Sequence, residues 1–154
     1  KCDAVKLEGG KKIINQINYL IKNKISVMGH LGLLPQTAKG KFRSKGKTDL
    51  EKKKLINDAL ALQSNGVFAI VLECVKTSTS KKITQALKIP TIGIGSSVNC
   101  DGQVLVTDDL LGLNNTKIKF VKKFVNLKKY INLGLKKFSS QVRSRKYPSK
   151  EHSY

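Results

Sequence analysis

The chain has 154 residues, of which 40% are hydrophobic and 26% charged, a composition that excludes disordered and fibrous proteins and predicts one globular domain with a sizeable core. No apolar run is long enough to cross a bilayer and no signal segment opens the chain, so we expect a cytoplasmic protein without a membrane partner. Three cysteines without Cys-x-x-Cys spacing indicate neither a disulfide framework nor a zinc site.

The net charge of +20 comes from 30 Lys and Arg residues against 10 Asp and Glu residues. Basic proteins of this kind commonly bind phosphate groups. The lysines, however, are spread along the whole chain, and no zinc finger, helix-turn-helix spacing or aromatic RNA-binding motif accompanies them. We therefore expect no specific nucleic-acid partner and keep a basic RNA- or phosphate-binding module as an alternative.

Short apolar runs alternate with segments of helical periodicity along the chain. The first run covers 3–7 and precedes a helical pattern over 11–22, where isoleucine and leucine recur at three- and four-residue spacing. The second run, 25–28, leads to His30 and then to a long polar loop, 34–47, that is rich in lysine and glycine. Each run has the length of a buried strand.

The middle of the chain continues this alternation. Thr48 and Glu51 form a capping-box pair, which predicts the start of a helix there, and the Asn-Gly pair at 65–66 predicts its end. The third apolar run, 67–72, ends in Glu73. A third strand therefore follows the capped helix.

The last third of the chain predicts the remaining elements. Serine and threonine residues at 77–80 are the predicted N-caps of the next helix. A fourth strand is predicted at 91–94 and a fifth at 103–107, and two lysine-rich amphipathic segments follow near 118–125 and 127–138.

Continuous apolar strands that alternate with helices are typical of a parallel α/β protein, whose sheet is covered on both faces. The pattern gives five strands, without a GxGxxG turn or a Walker motif. We assign 1–138 to this α/β domain and 139–154 to a polar C-terminal tail on the surface. Five strands do not close an eight-stranded barrel, so we expect the chain to be part of a larger fold.

The candidate site residues stand where the predicted strands end, because reactive groups collect at the carboxyl ends of parallel strands. Lys6 and Glu8 are two residues apart and share one face of the first strand, which suits a metal-chelated anionic substrate; an ion pair beside a turn is the alternative. His30 ends the second strand and is either a site residue or a hydrogen-bonded structural histidine. Glu73 follows six apolar residues, so burial favours its protonated form and suits a general base; a helix cap or a partner of a lysine is the alternative.

The fourth strand ends in a run of small residues, Gly-Ile-Gly-Ser-Ser at 93–97. Small residues allow a substrate to approach the backbone closely. A loop that cradles phosphate is the competing interpretation, although a single GxG is weak support for it.

Several motifs, in order along essentially the whole chain, resemble one enzyme family, the ketopantoate hydroxymethyltransferases. They are Val-Lys-Leu-Glu-Gly-Gly at 5–10, Gly-His-Leu-Gly-Leu at 29–33 with Pro-Gln at 35–36, Asp-Ala-Leu-Ala-Leu at 58–62, Val-Leu-Glu-Cys-Val at 71–75, Ile-Gly-Ile-Gly at 92–95, Asp-Gly-Gln-Val-Leu-Val at 101–106 and the final Glu-His-Ser-Tyr at 151–154.

The resemblance implies a (β/α)₈ TIM barrel, with this chain covering roughly its C-terminal half of about five strands. It implies transfer of a hydroxymethyl group from 5,10-methylenetetrahydrofolate to 3-methyl-2-oxobutanoate, which gives 2-dehydropantoate in pantothenate biosynthesis. It also implies Mg²⁺ and a homo-oligomer, decameric in this family. By position, Glu8 matches a metal ligand, Lys6 a substrate-binding residue, His30 a histidine lining the substrate site, and Glu73 the proton acceptor.

Two departures from the family pattern limit this expectation. The resemblance places two further metal carboxylates in a part of the barrel that this chain lacks, so we expect weak Mg²⁺ binding and little activity from the chain alone. The basic loop 39–47 replaces a more neutral, glycine-rich segment. Another metal-dependent keto-acid lyase or aldolase on the same barrel is a further alternative.

Overall fold

The computed structural model describes residues 2–38, 43–115 and 117–154. The chain divides into two compact units, Lys1–Val104 and Leu105–Tyr154. This division falls earlier in the chain than the predicted boundary between 138 and 139, because the sheet and its helices all lie in the first unit. The part of the basic loop at 39–42 lies outside the described residues.

The first unit is built on one parallel sheet whose five strands stand in the order of the sequence. The predicted fold class is confirmed, and the four longer strands lie where the apolar runs predicted them. The fifth strand is only two residues long, because the chain leaves the sheet before the predicted end at 107. The strands are β1 Ala4–Glu8, β2 Ser26–Gly32, β3 Ala69–Glu73, β4 Thr91–Ile94 and β5 Gly102–Gln103.

The helices of this unit cover one face of the sheet, so the expected helical cover of both faces is wrong for the described part of the chain. Parallel strands in sequential order place successive crossover helices on the same side, and side chains of all three helices join one core cluster with side chains of the strands. Its fully buried members include Ile17, Leu62 and Ile83 from the helices and Val27 and Ile70 from the strands. The helices are α1 Ile14–Lys22, preceded by a 3₁₀ turn at Lys11–Ile13, α2 Asp49–Ser64 and α3 Thr77–Ala86.

The predicted capping box at the start of α2 is confirmed. The hydroxyl of Thr48 accepts a hydrogen bond from the backbone N–H of Glu51, at 3.2 Å. The Glu51 carboxylate in turn accepts one from the backbone N–H of Lys47, at 3.0 Å. The helix ends at Ser64 with Asn65 as its C-cap, as the Asn-Gly pair predicted.

The start of α3 differs from the prediction. Its N-cap is Lys76, and no side chain caps it. The hydroxyls of Thr79 and Ser80 bond instead to backbone carbonyl oxygens, those of Gly46 and Val75 respectively. The predicted N-caps at 77–80 are therefore wrong, because these side chains are inside the helix and serve the packing of its first turn.

The second unit contains a helical turn, α4 Thr107–Leu110, and one long helix, α5 Leu127–Arg143. The amphipathic segment at 118–125 forms neither a helix nor a strand. The predicted polar tail from 139 begins inside α5, since Asn126 caps the helix and nothing breaks it before Ser144. None of the helices in the described part of the chain is long and apolar enough to cross a membrane.

Candidate functional site

The sheet alternates between a face that packs on the helices and an opposite face that carries the polar groups. Side chains point to the two faces alternately along a strand. Leu7 of β1 packs against the core cluster, so its neighbours Lys6 and Glu8 lie on the other face. The pairing of Glu8 with His30, and of Gly32 with Glu73, brings the ends of β1, β2 and β3 together.

The structure brings the predicted site residues into one cluster. The imidazole of His30 lies between two carboxylates, with Nδ1 3.7 Å from Oε1 of Glu8 and Nε2 3.2 Å from Oε2 of Glu73. The exposed fraction of the side chain is 2% for His30, 8% for Glu8 and 15% for Glu73. Lys6 is exposed, and its charge acts on both His30 and Glu73. The alternatives of an isolated ion pair or a helix-capping Glu73 do not match this geometry.

Glu73 has the electrostatic setting of a proton acceptor. Burial raises its pKa from the ordinary value of 4.5, and the negative charge of Glu8 raises it further, while the positive charge of Lys6 opposes both effects. A general base works best when its pKa approaches the operating pH. The prediction that burial at the end of an apolar strand favours the protonated form of Glu73 is confirmed.

His30 is buried with both ring nitrogens lacking a hydrogen bond among the described residues. Burial lowers its pKa below 6.5, and Lys6 lowers it further, against the opposing charge of Glu8. Burial therefore favours the neutral form of the ring, which has one N–H donor and one acceptor nitrogen. Buried polar atoms normally find partners, and here the nearest side-chain groups to the two nitrogens are the carboxylates of Glu8 and Glu73.

Glu8 is held in place by the loop after β2. Its Oε2 accepts a hydrogen bond from the backbone N–H of Gln36, at 3.1 Å. The same loop bonds to β3, since the N–H of Leu33 donates to the carbonyl oxygen of Glu73 at 2.8 Å. One segment thus holds the carboxylate of Glu8 and the backbone of Glu73.

The donor set of the site agrees in part with the magnesium ion that the family resemblance implies. Carboxylate oxygens are ligands that Mg²⁺ prefers, and Glu8 offers one on the face that also carries Lys6. Within residues 2–38, 43–115 and 117–154, no group of three or more His, Cys, Asp or Glu side chains is arranged to hold a metal ion. The carboxylate of Glu8 is therefore a suitable ligand for Mg²⁺, but the described residues supply only part of the set of ligands that the ion needs.

The loop after β4 carries two serines whose hydroxyls bond to other groups of the protein. The hydroxyl of Ser96 bonds to the hydroxyl of Ser80 and to the carbonyl oxygen of Val75. The hydroxyl of Ser97 accepts hydrogen bonds from Asn99. Both serines are therefore engaged within the fold.

Two features of the site had no clear signal in the sequence. The first is the amide of Gln36, because any residue supplies a backbone N–H. The second is the left-handed backbone of Cys74, with φ of 50°, directly after Glu73. Strained non-glycine residues of this kind concentrate at functional sites, and here the turn of the chain follows the candidate base. The thiol is half-buried, and the pKa of Cys74 is raised by burial and by Glu73.

A family model described as ketopantoate hydroxymethyltransferase matches residues 1–150 of the chain. The chain is 58% identical over its whole length to 3-methyl-2-oxobutanoate hydroxymethyltransferase of Pelagibacter ubique, covering 60% of that protein. It is 48% identical to the enzyme of that name from Moorella thermoacetica and 46% identical to the one from Rhizobium etli, covering 58% and 57% of them and 99% of this chain in both cases.

The chain thus spans about three fifths of the length of these relatives, whose fold is a TIM barrel, and its five parallel strands are compatible with part of one. The matches do not confirm the expectation that this share is the C-terminal part. An enzyme family with small-molecule substrates also disfavours the RNA-binding alternative. The match over 150 residues shows that the chain belongs to the ketopantoate hydroxymethyltransferase family.

Proposed function

We propose that this chain forms part of the active site of an enzyme that transfers a hydroxymethyl group from 5,10-methylenetetrahydrofolate to 3-methyl-2-oxobutanoate, giving 2-dehydropantoate. The observation that carries the proposal is the contact of His30 with both Glu8 and Glu73 on the face of the sheet opposite the helices. Family membership supplies the reaction, and this cluster supplies groups of the right chemistry for it.

Glu73 is the proposed base. The reaction requires removal of the proton at C3 of the keto acid before the new carbon–carbon bond forms at that carbon. A carboxylate whose pKa is raised by burial is a stronger proton acceptor than an exposed one. The remaining exposed fraction of 15% leaves its oxygens open to a substrate.

Lys6 and His30 are the proposed substrate-binding residues. The exposed ammonium of Lys6 stands on the same face as the two carboxylates and suits the carboxylate or keto oxygen of the substrate. By its resemblance to the family His30 lines the substrate site, and its ring contacts both carboxylates there.

Glu8 is the proposed metal-binding residue and would supply one oxygen ligand for Mg²⁺. When bound, the metal supplies Lewis-acid chemistry to the keto group of the substrate. The hydrogen bond from Gln36 orients the Glu8 carboxylate for this role. The complete enzyme is further proposed to be a homo-oligomer, decameric by its resemblance to the family.

The proposed role of Glu73 is tested in the chain completed with the segment that the Pelagibacter ubique relative has and this chain lacks. We expect Glu73→Gln to slow deuterium exchange at C3 of 3-methyl-2-oxobutanoate by about 10²–10⁴-fold, the usual contribution of a positioned base. Exchange is followed by NMR, and binding of the keto acid by calorimetry stays within a few-fold.

The matched control is Glu151→Gln, which removes an exposed carboxylate from the second unit. It is expected to exchange at the parental rate. An unchanged exchange rate in Glu73→Gln would remove this residue from the role of base.

A further inference from the structure

A cavity of about 420 Å³ opens beside the end of β2, within the range of roughly 300–1,000 Å³ that is usual for small-molecule sites. It is not part of the cluster described above. Two cationic residues, Arg43 and Lys45, line it together with Thr37 and the segment 32–34. Its chemistry is therefore that of a site for an anionic group.

The segment that lines the cavity is also bonded to residues of the candidate active site. Gly32 lines the cavity and pairs with Glu73 across the sheet, and the N–H of Leu33 bonds to the carbonyl oxygen of Glu73. Between the lining residues Leu34 and Thr37, the N–H of Gln36 bonds to Glu8. A ligand that fills both places would extend from the carboxylate cluster along this loop.

The fold fixes Lys45 at this position. Its backbone N–H donates to the carbonyl oxygen of Cys74, and its own carbonyl oxygen accepts from Lys76, both at 2.9 Å. The next residue, Gly46, is buried and accepts a hydrogen bond from the hydroxyl of Thr79. The loop that carries Lys45 is thus attached to the turn directly after the candidate base.

The charges of the two lining cations are largely uncompensated. Arg43 is 73% exposed and lies 3.8 Å from Glu51, a weak surface pair. Within the described residues, no carboxylate lies within 4.0 Å of the Lys45 ammonium. An anionic ligand would therefore meet two cations at one wall of the cavity.

We propose that this cavity binds the glutamyl carboxylates of the folate co-substrate; the inference rests on the proposed function. Of the two reactants, the keto acid carries a single carboxylate next to its keto group, and Lys6 already stands beside the carboxylates that would handle it. The folate carries its carboxylates on a long tail, away from the carbon that is transferred. The segment that lines the cavity also bonds to Glu8 and Glu73, so a ligand with its carboxylates away from its reacting carbon suits this arrangement.

The test measures the KM for 5,10-methylenetetrahydrofolate with one and with three glutamyl residues, in the completed chain and in Arg43→Gln and Lys45→Gln. We expect the triglutamate to have the lower KM in the parent. Each variant should raise the KM for the triglutamate by about fivefold to tenfold and reduce the difference between the two forms. The KM for the keto acid and the folate-free deuterium exchange at its C3 should stay within twofold.

Lys53→Gln is the matched control, because Lys53 is exposed on α2 and does not line the cavity. It should leave the KM of both folates unchanged. Parental exchange together with an unaltered folate KM in both cavity variants would overturn the subsite and leave the proposed function standing. A rise in the KM of the keto acid alone would assign the cavity to that substrate and overturn the inference. Absence of exchange in the completed parent would overturn both proposals.

Discussion

The imidazole of His30 contacts two carboxylates. Its Nε2 lies 3.2 Å from Oε2 of Glu73, and its Nδ1 lies 3.7 Å from Oε1 of Glu8. Neither contact has the geometry of a hydrogen bond, and both nitrogens are buried. The ring lies between the candidate base and the candidate metal ligand. The negative charge of Glu8 nevertheless raises the pKa of Glu73, so the two carboxylates act on each other.

This arrangement predicts that Glu73 reduces the stability of the chain at neutral pH. Its folded pKa is raised above 4.5, so the favourable contribution of the protonated form is complete below about pH 4.5 and is lost as the pH rises through the raised value. Glutamine resembles the protonated carboxyl. We expect Glu73→Gln to increase the free energy of unfolding in urea at pH 7 and to change it little at pH 4. Equal effects at both pH values, or a loss at pH 7, would contradict this.

The neighbouring charges predict shifts of the Glu73 pKa in opposite directions. The positive charge of Lys6 lowers this pKa and the negative charge of Glu8 raises it. Lys6→Met should therefore move the titration of Glu73 to higher pH, and Glu8→Gln should move it to lower pH. The measurement is a carbon-13 NMR titration of labelled glutamate in metal-free buffer, with the exposed Lys12→Met as control. Shifts of the same sign in both site variants would show that the two side chains do not act on Glu73 through their charges.

The sequence was sufficient to predict the four longer strands and the candidate residues that the structure brings together at their ends. An apolar run that ends in a charged residue predicts both a strand and the position of its carboxyl end. Glu8 and Glu73 each end a strand of the structure. The strict alternation of strand side chains also predicted that Lys6 and Glu8 share a face.

Other features could not be predicted from the sequence. They depend on backbone hydrogen bonds, which almost any residue can form, or on contacts between residues that are far apart in the chain. The hydrogen bond from Gln36 to Glu8 uses a backbone N–H, which leaves no trace in the sequence. The hydroxyl of Thr79 was available as a cap, yet it bonds to Gly46, 33 residues away. The length of the fifth strand likewise depends on pairing with distant residues, and only Ile92 and Gly93 of β4 pair with it.

The capping box of α2 predicts a measurable loss of stability in Thr48→Ala. The substitution removes the acceptor for the N–H of Glu51 at a partly exposed helix start, and such losses cost about 1 kcal/mol. Thr48→Ser keeps the hydroxyl and should retain most of the stability. Urea unfolding followed by circular dichroism measures both. A loss of equal size in the serine variant would show that the methyl group of Thr48, and not its hydroxyl, stabilises this end of the helix.

Gly32 is predicted to be indispensable to the geometry around Glu73, in contrast to Gly134 in α5. Gly32 has φ of +99°, which L side chains rarely adopt, and a Cβ there would collide with the carbonyl oxygen of Glu73. Gly32→Ala must therefore break the hydrogen bond between Leu33 and Glu73 or move the end of β3. We expect it to cost about 1–3 kcal/mol.

A Cβ added at Gly134 would meet no heavy atom within 4 Å, and the residue lies inside an exposed helix, so Gly134→Ala should stabilise α5 by about 0.5–1 kcal/mol. The same substitution is thus expected to lower the free energy of unfolding at one position and to raise it at the other. Urea unfolding of both variants measures the difference. The NMR signal of the Glu73 side chain should shift in Gly32→Ala and stay in place in Gly134→Ala. A Gly32→Ala variant with parental stability and an unmoved Glu73 signal would show that the end of β2 does not position the candidate base.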